Sequence, residues 1–129
     1  MTDLPQSPKE AIFYEDEYVY ACLALYPLTK GHTVIVWKER ISDIHSLSDT
    51  EYGHLMHVVD RVRDALLRTL EVEKIYMMYM DEIKHVHWHL VPRYDEEGVN
   101  VLLHSPKQAS DFSLANVVRG NIVDVDTRG

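Results

Sequence analysis

The chain has a single cysteine, Cys22, in 129 residues. No internal disulfide can form, which suits a reducing compartment, so a cytoplasmic protein is expected. One thiolate also excludes the familiar paired-cysteine zinc spacings, and no HExxH pair is present. Five glycines and five prolines are too few for a collagen-like or low-complexity chain, and no repeat stands out. No apolar run approaches the roughly 18 residues of a membrane span. Met1–Lys9 lacks the apolar stretch of a signal peptide. Positive charge is scarce: 13 Lys and Arg stand against 21 Asp and Glu, a formal net charge of −8. A nucleic-acid polymer would meet general repulsion, whereas a small nucleotide can bind wherever the local field allows.

What the chain does have is histidine, eight in all, and three of them alternate: Lys84-His85-Val86-His87-Trp88-His89-Leu90-Val91-Pro92-Arg93. Alternation with period 2 predicts a strand with the three imidazoles on one face, about 7 Å apart, and Val86, Trp88 and Leu90 on the other, in the core. Imidazoles supply a nucleophile, hydrogen-bond donors and, when protonated, positive charge near neutral pH. Three ordinary packed or surface histidines would be the bland alternative, but burying them unpartnered costs free energy. A transition-metal site is a second alternative, since imidazole is a common ligand.

This run is similar to the signature of the histidine triad (HIT) superfamily of nucleotide hydrolases and transferases. The resemblance extends to Glu15-Asp16-Glu17-Tyr18-Val19-Tyr20, to the Gly31-His32 turn in Tyr26–Val36, and to Ile44-His45-Ser46-Leu47-Ser48-Asp49 before a long helix. It covers roughly Ile12 to Tyr94. It implies that His87 attacks the α-phosphate of a nucleotide anhydride or phosphoramidate and forms a covalent nucleotidyl-histidine that water resolves. His85, His89 and His32 would orient the ring and bind phosphate, with protonated imidazole supplying positive field in place of a metal; no cofactor is implied. Arg93 is a candidate phosphate or dimer contact. A homodimer is expected, since family members commonly pair.

Two departures bear on substrate choice. Where many members carry Gly-Gln-Ser/Thr before the triad, this chain reads Asp81-Glu82-Ile83-Lys84, with Lys84 expected opposite the triad face. Where many carry a ribose-binding Asp or Asn, it has Ala24. These keep a non-catalytic nucleotide-binding or scaffold protein open as an alternative, beside a zinc-binding protein that uses the triad.

The expected organisation is a flexible arm over 1–10, a HIT-like domain over 11–104 and a tail of unknown role over 105–129. Ile12–Glu15 and Tyr18–Leu25 read as a hairpin, and Thr33–Trp37 as the next strand. Ser48-Asp49-Thr50-Glu51 is a capping box that opens a helix from Asp49 to Leu70, with Leu47 and Tyr52 as a hydrophobic staple. Tyr52, Leu55, Met56, Val59, Val62, Leu66 and Leu70 recur at helical spacing, and Asp60, Arg61, Arg63, Asp64 and Arg68 form the wet side. Lys74–Met80 is almost wholly apolar and reads as a central strand, with Met77, Met78 and Met80 filling the core. A short turn makes it antiparallel to the triad strand, and Pro92 ends regular pairing. The class is α+β: a mainly antiparallel sheet of about five strands, one long helix on one face and the histidines on the other. His45, His54, His57 and His104 are assigned packing or surface roles.

Overall fold

In a computed structural model, which describes residues 4–123, a five-stranded sheet carries one long helix. The strands are β1 (Ile12–Glu15), β2 (Val19–Leu23), β3 (Thr33–Trp37), β4 (Lys74–Tyr79) and β5 (His87–Arg93), in spatial order β1-β2-β3-β5-β4 with every neighbouring pair antiparallel. The α+β expectation therefore holds. Short connections give the β1–β2, β2–β3 and β4–β5 pairs, while helix α1 (Asp49–Thr69) carries the chain across so that β5 inserts between β3 and β4.

Helix α1 starts where its cap says it must. The Ser48 hydroxyl accepts from the Glu51 amide at 3.1 Å, and the Glu51 carboxylate accepts from the Ser48 amide at 2.8 Å. Its apolar stripe buries Leu55, Val59, Val62 and Leu66 as expected, widened by Val58 and Ala65. Tyr52, the staple residue, stays exposed, and the stem of Arg61 is largely covered instead of lying on the wet side.

Cross-strand register sorts the sheet into two faces. Tyr20 pairs with Val36 and Cys22 with Val34, while Val36 pairs with His87 and Val34 with His89, so these six share one face. Ala21, Ile35, Trp88 and Leu90 share the other, which joins the core under α1. A second helix, α2 (Leu114–Gly120), buries Ala115 and Val118 against α1 and β1.

Two strand expectations need correction. β4 is an edge strand, not a central one, and its Met77 is 44% exposed. Its apolar run resembles a buried strand because edge strands and central strands draw on the same residue types. Pro92 does not end β5. It pairs with Ile75 of β4, whereas β3 pairing stops at Leu90, so the missing amide falls where β5 has lost its neighbour on that side.

The arm expected to be loose is seated from Leu4 onward: Leu4 is 8% exposed and the Ser7 hydroxyl donates to the Leu23 carbonyl at 2.7 Å. The tail beyond 105 is also packed as far as it is described, with Phe112 buried and the Ala109 amide bonded to the Leu25 carbonyl at 2.7 Å. Among the described residues no helix is long and apolar enough to cross a membrane.

Candidate active site

The site forms where β3 and β5 lie side by side. His87 opens β5 and is 3% exposed; His89 follows two residues on, with ring centroids 4.9 Å apart. His32 enters from the turn before β3, itself 4% exposed, and its Nε2 lies 2.9 Å from His89 Nδ1. That turn is shaped by Gly31 at φ +89, a conformation open to glycine and strained for other residues.

His85 is not a member of the strand. It sits in a bend after Lys84, whose φ is +56, so the three imidazoles do not form one evenly spaced row on β5. The physical reason is the tight turn through Asp81–Lys84, where the Lys84 amide bonds to the Asp81 carbonyl at 2.8 Å. Lys84 is therefore a turn residue, without the strand geometry that would set it opposite the triad. His85 still belongs to the site, but through its backbone. Its carbonyl lies 2.7 Å from His87 Nδ1, and its own Nε2 lies 2.7 Å from the Trp37 carbonyl.

These bonds settle the tautomers, because a carbonyl only accepts. His87 Nδ1 carries the proton, which leaves the Nε2 lone pair free. On the other side, the Leu28 amide donates to His32 Nδ1 at 2.9 Å, so His32 Nε2 holds the proton and donates it to His89 Nδ1. His89 Nε2–H is then the outward donor. The site thus presents one free imidazole lone pair, on His87 Nε2, and one neighbouring N–H, on His89, both set by hydrogen bonds to their other ring nitrogens.

Burial sets the charge. It pushes His32 down to about 3, with the neighbouring His89 adding to the effect, and His89 to about 4, with His87 adding. His87 is also lowered, chiefly by burial and against the opposing pull of the His85 carbonyl, Glu82 and Asp81. Burial thus favours the neutral form of all three rings, against the expectation of a protonated imidazole: a cation here would lose hydration that the pull of Glu82 and Asp81 does not make good. A neutral imidazole can act as a nucleophile, and a neutral site can meet an anion only through N–H dipoles.

Arg93 lies at the far end of β5. Six residues of strand rise separate it from His87 by about 20 Å, beyond the span of one phosphate. Its Nε is buried without a hydrogen-bond partner among the described residues. Trp88 is part-buried on the core-facing side, tilted against Tyr79 at 5.3 Å. Ala24 is buried, its amide bonded to the His32 carbonyl at 2.8 Å. His54 bonds Asp16 at 2.7 Å, and His104 bonds the Leu28 carbonyl at 2.7 Å and Glu96. No grouping of three or more His, Cys, Asp or Glu able to hold a metal occurs among the described residues.

Sequence reasoning missed the Leu28 amide and the Trp37 carbonyl, since backbone partners carry no residue signature. It also missed Leu4, Pro5 and Ser7, which line a chamber beside His89.

The HIT domain family model matches residues 6–96, and the chain belongs to that family. It is 30% identical over 115 residues to an uncharacterised HIT-like protein of Methanocaldococcus jannaschii, covering 84% of this chain and 88% of that one. It is 31% identical over 100 residues to the adenosine 5′-monophosphoramidase of Saccharomyces cerevisiae, covering 76% of this chain and 63% of that one. A zinc-bound histidine triad family protein from Mycobacterium smegmatis shares the fold, with a TM-score of 0.72 at 21% identity over 95% of this chain and 90% of that one.

Proposed function

We propose that the protein is a nucleotide hydrolase or nucleotidyl transferase acting at an α-phosphate through His87. The free Nε2 lone pair of His87, set by the Nδ1–H bond to the His85 carbonyl, carries this reading. Nε2 attacks phosphorus, and the bond to the leaving group breaks with its electron pair going to that group, which takes up a proton from solvent. The nucleotidyl-histidine is cationic, and the His85 carbonyl faces its Nδ1–H. Water then attacks phosphorus, giving up a proton to solvent, and the pair of the P–N bond returns to Nε2. Splitting one displacement into two lowers each barrier. His89 Nε2–H supplies a donor to phosphate oxygens, held by His32.

The name of the yeast relative, a monophosphoramidase, supports a phosphoramidate substrate, and a second yeast relative, 24% identical over 102 residues, is named a bis(5′-adenosyl)-triphosphatase. A cytoplasmic homodimer fits the reading, with the exposed Met77 of edge strand β4, Met80 just beyond it and the distant Arg93 as candidate contacts. A non-catalytic nucleotide-binding protein is the second reading. It is kept open by Asp81-Glu82-Ile83-Lys84, where many members carry Gly-Gln-Ser/Thr, and by Ala24 at the expected ribose-binding position.

The test is release of AMP from adenosine phosphoramidate and diadenosine polyphosphates with a chelator present. Release by the wild type and none by His87→Ala upholds the reading; no release from any compound by folded wild type moves it to the binding protein. Stoichiometric zinc after tag-free purification would favour a metal protein.

A further inference from the structure

On the histidine face, beyond His89 and His32, lies a chamber of about 120 Å³. Tyr20, Cys22, Val34 and Val36 of β2 and β3 contribute to its lining, and Leu4, Pro5 and Ser7 close it from the arm. Ligand pockets commonly measure roughly 300–1,000 Å³, so the chamber as closed is too small for a nucleoside. Yet a nucleotide whose phosphate meets His87 and His89 has its nucleoside beside them, and this apolar chamber adjoins His89.

The arm that closes the chamber is lightly held. Leu4 is its buried anchor, and the Ser7 hydroxyl donates to the Leu23 carbonyl while lining the same chamber as Cys22. Pro5 and Gln6 between them are exposed. A segment with one apolar anchor and one anchoring polar residue opens far more readily than the sheet beneath it.

We infer that residues 4–8 are a gate over the nucleoside side of the active site, and that Leu4 and Ser7 must lift for a nucleotide to enter. This rests on the reading of His87 as the phosphate site. The closed gate reduces the fraction of molecules able to bind, and so slows association.

The experiment measures association of a fluorescent N-methylanthraniloyl-AMP by stopped flow, beside AMP release from adenosine phosphoramidate. In Ser7→Cys the new thiol lines the same chamber as Cys22, and diamide, by taking up the two thiol hydrogens, is used to join them in a disulfide that locks the gate. The locked form is expected to associate at least tenfold more slowly and to recover on reduction. Leu4→Ala, with its anchor removed, is expected to associate severalfold faster than wild type. Equal association rates for locked and reduced Ser7→Cys, or for folded Leu4→Ala and wild type, overturn the gate. If no disulfide forms, Leu4→Ala alone decides. If the nucleotide binds but is not turned over, the catalytic reading falls and the gate is still judged by these rates; if folded wild type does not bind it at all, both fall.

Discussion

His32 Nε2 and His89 Nδ1 stand 2.9 Å apart, across 57 residues of sequence, with the proton on His32 because the Leu28 amide occupies its other nitrogen. One backbone N–H thereby orients an imidazole two bonds away. His32→Phe keeps the ring volume and removes that donor. Turnover is expected to fall by about 10- to 100-fold, carried by kcat more than by KM. Nitrogen chemical shifts of His89 should change from the Nε2–H form to a mixture of tautomers. An unchanged His89 spectrum would show that His32 does not set the tautomer.

His87→Ala removes the proposed nucleophile and leaves His89, the proposed phosphate donor, in place. The rate of AMP release should fall by at least about 10³-fold, more than the loss of a single transition-state donor. AMP binding by calorimetry should survive. Turnover near the wild-type rate would assign the nucleophile elsewhere.

Burial lowers His87 below the ordinary imidazole value of 6.5. The neutral ring is the reactive form, so activity should stay flat as pH falls from 8 through 6.5 and decline only below it. An acid limb with its midpoint at or above 6.5 contradicts a buried neutral nucleophile.

Stability follows the same groups. In the unfolded chain His32 and His89 take up protons near 6.5, whereas in the fold they resist protonation down to about 3 and about 4. Between those values the unfolded state binds more protons, so their stabilising contribution is complete above pH 6.5 and is lost progressively as pH falls toward 3. Urea midpoints measured from pH 8 to 4 should drop on the acid side, and less steeply in His32→Phe.

Gly31 has φ +89, and a Cβ there would lie 2.6 Å from Leu70 Cδ1. Gly31→Ala should destabilise the fold by about 1–3 kcal/mol. It should also weaken AMP binding, because His32 is the next residue. A thermal midpoint equal to wild type would mean that the turn relaxes without strain.

Much of this molecule is determined by sequence alone. Ser48 and Glu51 cap α1 because a hydroxyl and a carboxylate three residues apart satisfy helix-end amides wherever they occur. Period 2 over His87, Trp88 and His89 places two imidazoles on one face and the indole on the other, since pleating admits no other choice. The grouping of His32 with the triad was legible through the family resemblance, though nothing in local chemistry joins residues so far apart.

The tertiary structure decided the rest. His85 left the row because a turn two residues earlier rotates the backbone, which alternation cannot register. β4 fell at the edge because strand order depends on which partner β5 meets after the long crossover, and an apolar run reads alike in either place. The neutrality of His32 and His89 is a consequence of burial, a property of the surroundings and not of the residue. The seat of Leu4 over the histidine face depends on contacts between segments far apart in the chain, and only folding brings them together.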